Sequence, residues 1–189
     1  MGWGKELADF LFTSGEYISE KKKRNKNISE PVPQAKRFVE DYYASTGLTD
    51  VTREWGNKVI TIIFEGSFVS VNINASHFPL QVRDWNRTER KKFETYLTND
   101  GYIGFRNLRN QKFVTADLRE EHVPLRAIAD GLNGAWECFK IFTDGKYFYI
   151  QYRDGKHWVS VNNDADNSLI ARVCEPSAWE RFEITQVSE

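Results

Sequence analysis

One four-residue pattern is written twice in this chain, as His77-Phe78-Pro79-Leu80 and again as His122-Val123-Pro124-Leu125. The 189 residues include only three histidines and five prolines, so the recurrence is selective. Either two histidines converge on one ligand or ion, or a structural piece has been copied along the chain. The flanks decide. Phe68-Val69-Ser70-Val71 precedes the first copy and Phe113-Val114-Thr115-Ala116 the second, and Trp158-Val159-Ser160-Val161 follows about 45 positions further on. Ile60, Phe105 and Ile150 stand at one common distance before the leading aromatics. Downstream, Leu80-Gln81-Val82 corresponds to Leu125-Arg126-Ala127 and Leu169-Ile170-Ala171. Trp136-Glu137-Cys138-Phe139-Lys140-Ile141 then matches Trp179-Glu180-Arg181-Phe182-Glu183-Ile184. The first copy has Arg90-Lys91-Lys92-Phe93-Glu94-Thr95 there, keeping the Phe and lacking the Trp-Glu pair. A fixed period of this size marks repeat architecture.

Within each repeat the pattern is β. Runs such as Lys146 to Arg153 are rich in aromatic and β-branched residues, and Glu65-Gly66, Asp100-Gly101, Asp144-Gly145 and Asp154-Gly155 supply turns. No amphipathic helical segment interrupts residues 58–189. Three repeats of roughly four short strands fit a closed barrel with pseudo-threefold symmetry, and are too few for the blades of a propeller. The expected repeats are about 58–101, 102–146 and 147–189. In such a barrel equivalent positions are rotated by about 120°, so His77 and His122 cannot share a small ion. Pro79 and Pro124 are expected to fix φ, push their predecessors to extended backbone and set a turn before an inward-pointing Leu. The opening pattern is therefore read as a copied turn.

The order of a strand carrying Phe/Trp-Val-Ser/Thr-Val/Ala, then Pro-Leu-x-Ala, then Trp-Glu-x-Phe-x-Ile, resembles the fascin-like branch of the β-trefoil fold. The resemblance covers residues 58–189 and is carried by Phe113, Leu125, Trp136, Glu137 and Phe139, and by Trp158, Leu169, Trp179, Glu180 and Phe182. The Gln-x-Trp signature of ricin-type lectins is absent. The resemblance implies an all-β trefoil acting as a non-catalytic module. Bacterial members look like carbohydrate-binding domains, while animal ones crosslink actin with several trefoils in tandem. Trp136 and Trp179 are expected to fill the core or a barrel end, with their Glu neighbours hydrogen-bonded within the turn.

Residues 1–57 differ in kind. Trp3, Leu7, Phe10, Leu11 and Ile18 recur at helical spacing, and a second helix is predicted from Pro33 to about Ser45, with Gly47 after it. Between them runs Lys21-Lys22-Lys23-Arg24-Asn25-Lys26, a solvated linker. This short helical extension is expected either to pack on the barrel or to dock a partner or an anionic membrane surface weakly through residues 3–26.

Chemistry is sparse. The sequence contains no nucleophile elbow, P-loop, His-Glu-x-x-His or dinucleotide fingerprint, so neither cofactor nor metal is implied. A glycosidase carries no local motif, since its two carboxylates can lie anywhere in the chain. Net charge is −1, and the basic run lacks an interleaved aromatic groove, so nucleic acid is not an expected partner. Cys138 and Cys174 fit free thiols in a reducing compartment. Lys5, Glu6 and Asp9 interrupt any secretory-type apolar run, which predicts a cytoplasmic protein and leaves the sequons at Asn27, Asn74 and Asn86 without consequence.

Binding is the expected output, of a glycan first and of a protein partner second. Aromatic content of 14% supplies stacking faces, and the third repeat gathers the richest candidates: Tyr147, Tyr149, Tyr152, Asp154, His157, Asn162, Asn163 and Asp164. Aromatic rings stack on sugar faces while Asp and Asn take hydroxyl hydrogen bonds. Strand alternation would send some of these tyrosines inward.

Overall fold

The computed structural model describes residues 46–83, 88–163 and 166–188. The chain divides into two compact units, Met1–Thr49 and Asp50–Glu189. The helices expected at 3–18 and 33–45, the basic run and any docking role of residues 3–26 lie outside the described residues. A two-residue strand, β1 (Thr49–Asp50), stands where the units join. Among the described residues no helix is long and apolar enough to cross a membrane.

Among the described residues twelve strands follow, in three sets of four. The first set is β2 (Val59–Phe64), β3 (Ser67–Val71), β4 (Leu80–Val82) and β5 (Phe93–Leu97). The second is β6 (Ile103–Asn107), β7 (Phe113–Ala116), β8 (Leu125–Ala129) and β9 (Phe139–Thr143). The third is β10 (Phe148–Tyr152), β11 (Trp158–Asn162), β12 (Ser168–Val173) and β13 (Glu183–Gln186). One turn of 3-10 helix precedes the last strand of each set, at Thr88–Lys91, Ala135–Glu137 and Ala178–Glu180.

Six strands close a barrel in the order β2, β5, β6, β9, β10, β13, and β13 returns to β2 through the rungs Glu183↔Ile63 to Gln186↔Ile60. In each repeat the first and last strands meet at one equivalent rung: Ile60↔Phe93, Ile103↔Phe139 and Phe148↔Phe182. Phe93, Phe139 and Phe182 are fully buried there, which explains why Phe is kept in all three repeats. The remaining strands form the hairpins β3–β4, β7–β8 and β11–β12.

The hairpins are locked to one another, and here the His-x-Pro-Leu pattern finds its meaning. The Phe78 carbonyl accepts a hydrogen bond from the Ala127 amide at 3.0 Å, Val123 accepts from Ala171 at 2.9 Å, and Asn167 accepts from Val82 at 2.9 Å. The three acceptors occupy one position of the repeat, and each reaches into the next repeat. Their φ angles are +47°, +48° and +57°, and His77 and His122 before two of them sit at +62° and +69°. The expectation of extended backbone before Pro79 and Pro124 is thus corrected. Aiming the carbonyl at the neighbouring repeat overrides the local preference, and left-handed backbone costs about 1–2 kcal/mol per residue. The following leucines do point inward: Leu80, Leu125 and Leu169 are all buried. Both histidines are exposed and lie in separate repeats.

Two register details also depart from the sequence reading. Barrel rungs pair Thr95 with Phe105, Ile141 with Ile150 and Ile184 with Ile62. Ile62, not Ile60, is therefore the counterpart of Phe105 and Ile150. The β2–β3 hairpin turns at Glu65-Gly66, with Phe64 opposite Ser67, and is shorter than its equivalents. The segment from Asp50 to Asn57, assigned by sequence to the extension, lies with the barrel. The Val51 amide donates to the Ile141 carbonyl at 2.9 Å, the Thr52 hydroxyl accepts from the Ile141 amide at 2.9 Å, and Trp55 meets Phe148 edge-on at 5.2 Å.

Candidate functional site

The residues singled out in the third repeat do not form one site. Tyr149 and Tyr152 are 5% and 4% exposed, so neither offers a face to a ligand. Three positions apart, they lie on opposite faces of β10, and both faces of this strand are buried. The Tyr149 hydroxyl donates to Asp144 Oδ2 at 2.8 Å, and burial together with that hydrogen bond pushes its pKa up. Tyr152 packs edge-on against Phe139 at 6.1 Å, and burial pushes its phenol to about 12. By barrel register Tyr152 is the counterpart of Phe64, so it does core work.

The others fall at opposite ends of β11. Asp154 and His157 share the β10–β11 turn: the Lys156 and His157 amides donate to Asp154 Oδ1 at 2.9 and 3.0 Å, and the His157 ring contacts Asp154 Oδ2. Asn162 and Asn163 stand at the far end, about 16 Å along the strand at 3.3 Å per residue. Asp164 lies outside the described residues. Tyr147, half-buried, is bracketed by cations, with Lys146 Nζ 4.8 Å and the Arg181 guanidinium 5.8 Å from its ring centroid.

The aromatic face that is open belongs to Trp179. It is 39% exposed, which corrects its expected role as a filler. Its ring stacks on Phe64 with centroids 5.9 Å apart and planes 20° from parallel, and Phe64 rests in turn on buried Phe182. The Ser177 amide and hydroxyl donate to Glu180 Oε2 at 2.6 and 2.8 Å, a reciprocal cap that fixes the turn carrying the indole. Glu180 thus bonds within its turn as expected, whereas Glu137 accepts from Thr115 Oγ1 of β7 at 3.1 Å. A signal for Trp179 was present in the sequence: a residue the barrel required would recur in all three repeats, and this Trp recurs in two.

Asn162 stands on β11, the strand against which the turn Ala178–Glu180 carrying this indole packs. Asn162 lies on the same strand face as Ser160, the counterpart of the Thr115 that meets its own 3-10 turn. The other repeats pair the equivalent side chain internally. Asn72 Nδ2 donates to Gln81 Oε1 at 3.0 Å, and Arg126 Nη1 donates to Asp117 Oδ2 at 2.8 Å. In the third repeat Ile170 stands where Gln81 and Arg126 stand, and the Asn162 amide has no side-chain partner among the described residues. Nothing nearby offers metal chemistry: among the described residues no group of three His, Cys, Asp or Glu side chains converges to hold an ion. Cys138 is buried, which pushes its thiol pKa up, and Cys174 is exposed; both are free.

No protein-family model matches the chain, and no curated protein matches it in sequence. Solved structures do. The designed threefold-symmetric protein ThreeFoil superposes with a TM-score of 0.60 at 9% identity, over 68% of this chain and 99% of its own. The Macrolepiota procera ricin B-like lectin in complex with lactose gives 0.57 at 8%, over 68% of this chain and 95% of its own. The fold is a β-trefoil. A third neighbour is the GlcNAcα1-4Gal-releasing endo-β-galactosidase from Clostridium perfringens, with a TM-score of 0.57 at 10% identity over 69% of this chain. The likeness spans 33% of that enzyme, so the trefoil here corresponds to a part of it. At these identities the resemblance is one of fold.

Proposed function

We propose that this trefoil is a non-catalytic glycan-binding module whose site is the open face of Trp179 with the Asn162-Asn163 turn beside it. The observation that carries the reading is the exposed indole, rigidly backed by Phe64 and anchored through Glu180. A flat ring held from behind presents its face to the C–H side of a sugar, and the uncommitted Asn162 amide supplies both a donor and an acceptor for hydroxyls. The lectins among trefoils of the same architecture support this reading. The motif order of the second and third repeats keeps the fascin-like branch as our finer reading of its lineage.

The test is an array of neutral and acidic oligosaccharides that includes lactose, probed with the folded chain. The strongest glycan is then titrated against variants. Trp179→Ala is expected to abolish detectable binding. Asn162→Ala loses hydrogen bonds worth about 1 kcal/mol each, roughly fivefold in Kd per bond. Binding that survives Trp179→Ala, or an empty array, would overturn the proposal. Release of free sugar from a bound glycan on incubation would overturn its non-catalytic part.

A further inference from the structure

The second repeat carries the counterpart of the Trp179 platform, and the chain covers it with its own side chain. Trp136 stands at the position of Trp179. The Arg119 guanidinium lies over its ring, 5.9 Å from the centroid. Asp117 holds it there: Arg119 Nε donates to Oδ1 at 2.8 Å and Nη2 to Oδ2 at 3.1 Å. The Asp117 side chain is 1% exposed, and the Arg119 side chain paired with it is itself 68% exposed. Asp117 does not depend on Arg119 alone, since Arg126 Nη1 also donates to its Oδ2 and binds Glu120 besides.

We propose that Arg119 is an intramolecular plug over a second, latent glycan subsite built from Trp136 and Asp117. The inference rests on the reading of Trp179 as a sugar platform. Taking away the guanidinium uncovers two groups at once, the indole face and Asp117 Oδ1. That oxygen then keeps one backbone donor, the amide of residue 119 at 3.3 Å. An apolar face beside a carboxylate acceptor suits a neutral sugar, whose ring C–H groups lie on the indole while its hydroxyls donate to Oδ1. An acidic sugar would meet the like charges of Asp117 and Glu120.

The same logic explains why the third repeat stays open. Asn162 replaces Asp117 there, so no carboxylate stands at that position to hold a cation over Trp179. The first repeat has Arg90 in place of the indole and therefore has no platform to cover.

The experiment counts sites on lactose and the array glycans with Arg119→Ala, Trp179→Ala and the double variant. The wild-type chain is expected to bind at one site and Arg119→Ala at two. Trp179→Ala should bind at none, and the double variant should regain one site that Trp136→Ala removes again. Arg119→Ser, whose hydroxyl still reaches toward Asp117 without covering the ring, serves if the alanine variant melts early. A double variant as silent as Trp179→Ala overturns the plug and leaves the Trp179 proposal standing. Wild-type binding indifferent to Trp179→Ala overturns that proposal, and recovery on removing Arg119 is then no longer expected. Silence of every variant removes both.

Discussion

Val123 holds a β-branched side chain at a φ of +48° and turns its carbonyl to the Ala171 amide 2.9 Å away. Asn167, at the same place in the next repeat, does the same with a residue that tolerates this backbone. Val123→Asn should therefore trade about 1 kcal/mol of relieved strain against a similar loss of apolar packing, and hold Tm close to that of the wild type. Val123→Pro forces φ to about −65° and should cost about 3 kcal/mol or more. Denaturant melts compare the two. Equal losses for both would mean that the left-handed backbone is not what the ring of carbonyls needs.

Ser70 and Thr115 occupy one position in two repeats and should respond with opposite signs. Thr115 donates to buried Glu137, whereas the buried Ser70 hydroxyl has no hydrogen-bond partner among the described residues, because Lys91 stands where Glu137 stands and lies on the Phe68 ring. Thr115→Val strands a buried carboxylate oxygen and should destabilise by about 1–3 kcal/mol. Ser70→Ala removes an unsatisfied hydroxyl and should stabilise by up to about 1 kcal/mol. Urea midpoints at constant slope measure both.

The buried phenol of Tyr152 makes an alkaline prediction. Burial raises its folded pKa to about 12, above the value of roughly 10 expected when unfolded. Its contribution to stability is thus full below pH about 10, and is lost as pH rises from there through the folded value. Tyr152→Phe should flatten the fall in Tm over that window, although it changes little at neutral pH. An unchanged slope would mean that other groups carry the alkaline loss.

Asp117 gives the acid counterpart. The Arg119 hydrogen bond, seconded by the amide of residue 119 and by Arg126, holds its carboxyl below the ordinary range. Its contribution is present above the unfolded value of about 4 and is lost as pH falls through the folded one. Arg119→Ala should move the onset of acid destabilisation to higher pH, with Arg126 limiting the shift. Acid melts of the two proteins, or the Asp117 carboxyl resonance followed by NMR, test this.

The barrel was legible because symmetry wrote its landmarks three times: Phe93, Phe139 and Phe182 fill one position, as do Leu80, Leu125 and Leu169. Departures from that symmetry were harder to see. Two residues missing from the β2–β3 hairpin moved the true partner of Phe105 from Ile60 to Ile62, since constant spacing misaligns wherever one copy is shortened. The tyrosines of β10 looked like a ligand surface because composition does not reveal that both faces of this strand are covered. Trp179 looked structural because it recurred, although its absence from the first repeat already argued otherwise. The Asn72–Gln81 and Asp117–Arg126 pairs were written in the sequence as matched exchanges, but only the hairpin register shows that they touch.

The ring of Phe78, Val123 and Asn167 carbonyls has a further consequence for how this chain comes into being. Each repeat supplies an acceptor to one neighbour and a donor to the other, so a lone repeat would be left with an unmatched group on either flank. Closure must then wait for the last-made third to reach the first, which favours slow, all-or-none acquisition of structure over stepwise growth. By the same token, a peptide of a single repeat able to fold at all should do so as three separate molecules standing in for one.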